Sequence, residues 1–384
     1  MNRQAIYLDN AATSWPKPES VYQVIDNFNR NIGANPGRGS SSKSLEAGGI
    51  LLDTREILAQ FFQFTDISRL VFTKNITEAI NTVLKGYLNP GDHIIASSME
   101  HNAVARPLNT LTNTGVEVTF VECAPDGSLH PHQIEKIWQK NTRMVCLTSA
   151  SNVTGTIMPI KEVGQICRER GAVFLVDSAQ GAGIIPISVS EQNIDILAFT
   201  GHKGLFGPQG TGGFYIRPGL EIRSLIEGGT GSFSEKTEQP DFLPDKFESG
   251  TLNTPGIAGL GAGVNFILNA GLDTIRRHEM DLMKMMIEGL KQIPGVTIYG
   301  PADSQRQTSV LSINLAGLEC GELSFLLDEK FGIITRSGMH CAPLAHKTIG
   351  TLNQGTCRIS LSYFNKQEEI EAFLNAMKKL SKEY

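Results

Sequence analysis

The sequence is poor in several features that would narrow its role at once. Its 384 residues hold only six cysteines and two tryptophans. Cys123, Cys146, Cys167, Cys320, Cys341 and Cys357 form no CxxC pair and show no metal-ligand spacing, so neither a disulfide framework nor a metal site is expected. They read as free thiols in a reducing compartment, and a cytoplasmic location is expected. No apolar run reaches the roughly 18 residues of a membrane span, so no transmembrane helix is expected. Residues 1–9 lack the apolar stretch of an export signal. Positive charge is not in excess either. A net charge of -5 argues against nucleic acid or an anionic membrane as the main partner. No internal repeat or low-complexity tract is found.

What is present is alternation. From residue 69 onward, short apolar runs at 70–73, 93–97, 117–122, 144–149, 173–177, 194–200 and 213–217 read as strands. Helical patterns at 76–84, 132–139 and 160–170 lie between several of them. Continuous apolar strands alternating with helices predict an α/β fold with a mostly parallel, doubly covered central sheet in a large domain. Ligands of such sheets collect beyond the carboxyl ends of the strands. This predicts that Thr73–Thr77, Asp177–Gln180 and Thr200–Lys203 meet. After residue 255 the order changes to helices at 257–269 and 272–292, strand-like runs at 309–315, 333–337 and 357–363, and helices at 322–330 and from 367. These predict a smaller α+β C-terminal domain. The expected division is 15–256 for the large domain, with 1–14 and 257–384 forming the small one. Residues 228–256, rich in Gly, Ser, Pro and charge, read as a long connection of the kind that serves function or covers a partner subunit.

Within this frame a few side chains stand out. Thr200-Gly201-His202-Lys203-Gly204 follows an apolar strand directly. Its lysine either turns to water or forms a Schiff base with an aldehyde. Asp177 ends the strand Val173–Asp177, where a carboxylate either caps the next segment or meets a cation such as a protonated pyridine nitrogen. Gln180 is a surface amide or a donor to a ring hydroxyl. Thr73-Lys74-Asn75-Ile76-Thr77-Glu78 joins a strand to a helix, so it reads as plain capping or as a phosphate site at a helix N-terminus. His101 satisfies a local hydrogen bond, stacks on a ring or carries a proton. Arg358 is a charge inside an apolar strand and calls for an anion, whether a structural carboxylate or that of a substrate.

In order along the chain, these segments resemble the fold-type I enzymes that depend on pyridoxal phosphate. Within them the resemblance is to the class-V aminotransferase and cysteine desulfurase family. It is carried by Tyr7-Leu8-Asp9-Asn10-Ala11-Ala12-Thr13, Thr77-Glu78-Ala79-Ile80-Asn81, Glu100-His101-Asn102, Ser151-Asn152-Val153-Thr154-Gly155 and Val176-Asp177-Ser178-Ala179-Gln180. It continues through Thr200-Gly201-His202-Lys203, Gly250-Thr251-Leu252-Asn253-Thr254, Arg336-Ser337-Gly338-Met339-His340-Cys341 and Cys357-Arg358-Ile359-Ser360. The resemblance implies pyridoxal 5'-phosphate on Lys203, Asp177 on the ring nitrogen, Gln180 on the ring hydroxyl and His101 against the ring. It implies phosphate contacts from Ile76, Thr77, Thr200 and His202, with Thr251 reaching in from a second subunit of a homodimer. Asn152 touches cofactor and substrate in this reading, and Arg358 grips the substrate carboxylate. Asn10, Ala11 and Arg38 complete the expected substrate pocket.

Cys341 resembles the sulfur-accepting cysteine of the group II cysteine desulfurases and selenocysteine lyases. The implied reaction converts L-cysteine to L-alanine, leaves a persulfide on Cys341 and passes the sulfur to an acceptor protein. Selenocysteine lyase activity is the alternative, or lyase or aminotransferase chemistry without a persulfide. A thiolate needs a lowered pKa, and His340, His101 and Lys203 are the expected neighbours. The other cysteines read as packing, with Cys320 a rival because it lies near a helix start. The sequence departs from the family at Ile76, where a second threonine is common, and at Met339, where a histidine is common. The tail Ala342–Thr351 also differs from the usual pattern, and His346 and Lys347 within it read as solvated.

Overall fold

The computed structural model describes residues 5–36 and 41–384. The chain opens with β1 (Ile6–Tyr7), α1 (Glu19–Asn27) and α2 (Ser42–Phe62). Then come β2 (Leu70–Thr73), α3 (Ile76–Tyr87), β3 (His93–Ser97), α4 (Asn102–Thr112), β4 (Glu117–Val121), α5 (His132–Lys136) and β5 (Thr142–Thr148). After α6 (Ile160–Arg170), the strands β6 (Val173–Asp177), β7 (Ile196–Thr200) and β8 (Gly212–Ile216) complete a seven-stranded sheet of order β2-β8-β7-β6-β5-β3-β4. β3 through β7 pair in parallel, as expected, whereas β8 runs antiparallel to both β2 and β7. The sheet is therefore mixed. The reversal has a simple cause: only 11 residues separate Thr200 from Gly212, too few for a parallel crossover. The lysine segment is the connection of that antiparallel pair.

The second half comprises α7 (Thr254–Ala270), α8 (Leu272–Leu290), β9 (Val296–Tyr299), β10 (Val310–Leu315), α9 (Cys320–Phe331), β11 (Ile333–Ile334), β12 (Arg336–Gly338), α10 (Pro343–Thr348), β13 (Thr356–Ser360) and α11 (Gln367–Glu383). A four-stranded antiparallel sheet of order β12-β13-β10-β9 carries this part, and β1 pairs in parallel with β11. Its core gathers Leu8, Met283, Leu311, Leu327, Ile359 and Phe373. By contrast, Ile257, Leu260, Val264 and Ile267 of α7 join the core beneath the large sheet, with Phe62, Phe174 and Phe199. The division expected at 256/257 is thus not marked by a break in the core there. The apolar faces part along α8 instead.

Between β8 and α7 no helix or strand forms, as the Gly/Pro-rich composition of 228–256 suggested. This stretch is nonetheless anchored. Glu248 accepts from Arg55 Nη2 at 2.5 Å and from the Phe72 N–H at 2.7 Å, in a nearly buried ion pair. The sequence reading placed no helix at α1, α2 or α10 and no strand at β9.

Candidate active site

At the carboxyl ends of β2, β6 and β7, the three predicted segments meet around a cavity of about 230 Å³. Asn75, Ile76 and Thr77 line it at the start of α3, Asp177 and Gln180 follow β6, and Thr200, His202 and Lys203 follow β7. Asn75 caps α3 by accepting from the Glu78 N–H at 3.0 Å, while the Glu78 carboxylate accepts from the Lys74 N–H at 2.8 Å. This reciprocal cap holds the helix start, and its positive dipole end faces the cavity.

Lys203 is partly open to the cavity yet densely surrounded by protein. Burial, with help from the Arg358 charge, lowers its amine to about 8 against the opposing pull of Asp177. Asp177 is 2 % exposed and its carboxyl is raised by burial. The one hydrogen bond it accepts among the described residues comes from the Ala179 N–H at 2.9 Å. Such a carboxylate awaits a cation. His101 caps α4 by accepting the Ala103 N–H on Nδ1 at 3.0 Å, which places the proton of its neutral ring on Nε2. Burial, followed by Lys203 and Arg336, lowers it to about 4. His202 is lowered to about 4, chiefly by burial, and its Nδ1 has no partner among the described residues.

The lysine turn is clamped from the N-terminal segment. Ser14 N–H and Thr13 Oγ1 both donate to the His202 carbonyl, at 2.9 and 3.1 Å. Gln180 Nε2 donates to the Ala11 carbonyl at 3.0 Å. Ala11 lines the cavity, but Asn10 does not. The Asn10 amide is committed to the Ser360 carbonyl, Asn365 and the Trp15 N–H, which makes it a brace rather than a pocket residue. Thr251 is exposed and lies outside the cavity of its own chain. Arg38 lies outside the described residues.

Opposite Lys203 stand the residues of the small sheet. Arg358, 1 % exposed, donates from Nη2 to Asp9 at 2.7 Å and from Nη1 to the Asn152 carbonyl at 3.1 Å, while its Nε has no partner among the described residues. The two readings of this arginine therefore coexist: a structural ion pair plus one donor left over. Asn152 donates from Nδ2 to the His340 carbonyl at 2.7 Å, so its amide positions the cysteine turn. Cys341 is exposed at the cavity. His340 and Cys341 have φ of 47° and 57°, and the Ala342 N–H closes the turn onto the Met339 carbonyl at 2.9 Å. Two successive non-glycine residues at positive φ are strained, and such strain marks functional turns. The Cys341 carbonyl also accepts the Asn102 N–H at 2.8 Å.

Two expectations need correction here. His340 does not supply a charge beside the thiol: it is 3 % exposed, donates from Nε2 to the Thr356 carbonyl, and is lowered by burial to about 2. His346 is not solvated but fully buried, bonded to Thr351 at 2.7 Å, with its ring 5.5 Å from that of His340. Cys320, the rival thiol, opens α9 and donates to the Gln354 carbonyl at 3.1 Å, away from the cavity.

The sequence reading also missed two residues. Arg336 lines the cavity opposite Arg358 on the paired strands β12 and β13, without an acidic partner among the described residues. Its position five residues before Cys341 was the available signal. Glu100 is fully buried, accepts from Ser97 Oγ and the Thr148 N–H, and is raised by burial to about 8, which favours its neutral form.

The family model for aminotransferase class-V matches residues 6–373. The chain belongs to the aminotransferase class-V family. A probable cysteine desulfurase of Methanothermobacter thermautotrophicus is 36% identical over 96% of this chain and 93% of its own length. A cysteine desulfurase of Pectobacterium carotovorum is 35% identical over 97% and 92%. Among solved structures, the apo cysteine desulfurase of Thermococcus onnurineus superposes with a TM-score of 0.93 at 35% identity, covering 99% of this chain and 95% of that one. Class-V aminotransferases depend on pyridoxal phosphate, and the site fits that cofactor on its own evidence. A buried Asp177 that forms no ion pair and a His202 Nδ1 that has no partner among the described residues, together with the Lys203 amine and a capped helix start, surround one cavity.

Proposed function

We propose that this chain is a pyridoxal phosphate-dependent cysteine desulfurase that takes sulfur from L-cysteine onto Cys341 and releases L-alanine. The observation that carries the reading is an exposed thiol on a strained turn at the cavity that also holds Lys203. Relatives that are cysteine desulfurases by name support the same reading. When bound, the cofactor supplies an aldehyde for the lysine and an electron sink joined to the substrate nitrogen. Asp177 would hold its ring nitrogen, Gln180 its hydroxyl and His101 its face. Ile76, Thr77, Thr200 and His202 would hold its phosphate.

Lys203 Nζ would anchor the cofactor, and as a free amine the same nitrogen would take the proton from the substrate Cα. The unpartnered Nε of Arg358 and the neighbouring Arg336 are left for the substrate carboxylate. The Cys341 thiolate then attacks the substrate sulfur. An S–S bond forms as the Cβ–S bond breaks, the bonding pair goes to Cβ, a proton is delivered there, and Lys203 Nζ returns its proton to Cα to complete alanine. The net change is cysteine plus a thiol giving alanine plus a persulfide, which balances without an outside oxidant.

The enzyme in this proposal is a cytoplasmic homodimer, in which Thr251 reaches the partner's phosphate site and an acceptor protein removes the sulfur. Support for the dimer comes from the irregular stretch before α7, which exposes Leu225, Ile226, Phe233 and Phe242. Six free cysteines suit a reducing compartment.

Incubation with cysteine, selenocysteine, cystine and serine, with alanine, pyruvate and sulfide all quantified, tests the reading. Alanine and a persulfide should form from cysteine, and Cys341→Ala should abolish both. Selenocysteine turnover that survives Cys341→Ala, without cysteine turnover in the native enzyme, points to a lyase instead. Amino transfer to a keto acid points to an aminotransferase, and protein that stays colourless with added pyridoxal phosphate sinks the proposal.

A further inference from the structure

At the opposite end of the large sheet from Lys203 lies a cavity of about 690 Å³, larger than the one around the lysine. It opens between the amino ends of β6 and β7, the start of β2 and the end of β8. Five strand residues, about 17 Å, separate these ends from the Asp177 and Thr200 end of the same strands. No residue lines both cavities. The volume falls within the roughly 300–1,000 Å³ of small-molecule sites, far more than an inorganic ion fills.

The lining combines an apolar base with charged side chains. Cys167, Val189 and Ile194 are buried in it, and the rings of Phe64 and Tyr215 pack with centroids 4.6 Å apart at a 37° tilt. Of the charges, Asp66 holds Arg69 at 3.3 Å and Asp195 holds Arg217. Arg168 is left over. It donates to Asn193 Oδ1 at 2.7 Å and has no acidic partner among the described residues. Three arginines face two aspartates, so this lining carries one uncompensated positive charge in a chain whose net charge is -5.

Tyr215 supplies the second observation. It is 8 % exposed, and its hydroxyl has no hydrogen-bond partner among the described residues. Burial raises this phenol, Arg69 and Arg217 oppose the shift, and Asp195 and Asp66 add to it, so the hydroxyl keeps its proton among four charges. Burial and then Asp195 raise the Cys167 thiol next to Arg168, so Asp195 acts on both the tyrosine and the α6 side of one space. A largely buried donor without an acceptor, inside a cavity, marks a place for an acceptor from outside the chain. The paired rings have no use for an inorganic ion, and a doubly charged ligand would exceed the single free positive charge.

We propose that this cavity binds a small organic anion with a flat ring and one negative charge. The ring packs on Phe64 and Tyr215, an anionic oxygen accepts from the Tyr215 hydroxyl, and Arg168 balances the charge. The site goes beyond the reaction at Lys203 and does not depend on it.

Equilibrium dialysis of the protein saturated with pyridoxal phosphate tests this, with naphthoate as the anionic ligand and naphthamide as its neutral counterpart. Naphthoate should bind at one such site per chain, more weakly as salt rises, and naphthamide roughly tenfold more weakly or worse. Tyr215→Phe keeps both rings and should weaken naphthoate roughly tenfold, the scale of one hydrogen bond to a charged group. Arg168→Gln should weaken it roughly threefold or more at low salt and leave naphthamide unchanged. Naphthoate binding that survives both substitutions is binding elsewhere, at Arg358 for example, and overturns the proposal. Equal affinity for the two ligands, or no naphthoate bound at millimolar concentration, overturns it as well.

Discussion

At the scale of single residues, the site is built by burying charge without completing its partnerships. Lys203 shows what this does to reactivity. Capture of an aldehyde needs the free amine, and burial brings that form within reach by lowering the amine to about 8. The rate at which cofactor-free protein colours with pyridoxal phosphate should therefore rise with pH and level off above about 8. Lys203→Ala should not colour at all, and a rate flat from pH 6 to 9 would contradict the assignment. Lys203, Asp177 and Arg358 were legible in the sequence because each sets a charge against an apolar strand. Glu100 was not. A carboxylate beside a histidine looks like surface until the fold seals it under Ser97 and Thr148. The role of His340 was misread for the same reason: its burial depends on Thr356 and His346, neither adjacent in sequence.

At the scale of elements, strand ends place the chemistry and caps hold it. β2, β3 and β6 coincide with the expected runs, since an apolar run of this kind that a polar residue closes after four or five positions is too short for a helix. α2 was missed because its buried stripe of Ala47, Leu51, Leu58 and Phe62 is interrupted by the polar Thr54 and Arg55, while the apolar Leu45 and Leu52 face outward. The edge strand β9 was missed because it is short and only half-buried. Removing the α3 cap with Asn75→Ala should cost about 1 kcal/mol, read as a lower urea midpoint. The same variant should release pyridoxal phosphate more readily on dialysis, and unchanged retention would detach the helix start from phosphate binding. Glu248→Ala leaves Arg55 buried without its partner, with an expected loss of about 3–5 kcal/mol in chemical unfolding. A loss below 1 kcal/mol would mean that the stretch before α7 is held by something else.

Over the whole molecule, buried titratable groups give stability an unusual dependence on pH. His101, His202 and His346 are lowered to about 4 and His340 to about 2. Below pH 6.5 the unfolded chain binds protons at these rings that the folded chain refuses, so stability falls as pH drops. Glu100 and Glu279 are raised to about 8 and 7, so between pH 4.5 and those values the folded chain keeps protons that the unfolded chain has lost. Their contribution falls as pH rises. Below 6.5 the four rings outweigh the two acids, whereas toward pH 8 the acids are opposed by Lys203 and Lys17, whose amines are both lowered to about 8. Urea midpoints of the cofactor-free protein should therefore fall from pH 6.5 toward pH 5 and change little between pH 6.5 and pH 8. Midpoints that hold steady or rise on going from pH 6.5 to pH 5 would refute this balance. The presence of a large sheet followed by a smaller one was legible as a change of pattern along the chain, but the reversed β8 was not, because strand direction follows from connection length and neighbour choice.

The turn that presents Cys341 has a thermodynamic consequence. Its two central carbonyls are fixed from outside the turn, by the Asn152 amide and the Asn102 N–H. The backbone that carries the thiol is thus ordered when the chain folds, not again at each encounter with substrate. Sulfur capture should then have a small activation entropy. Asn152→Ala, which frees the His340 carbonyl, should slow capture mainly by making that entropy more negative, leaving the enthalpy of the bond exchange nearly unchanged.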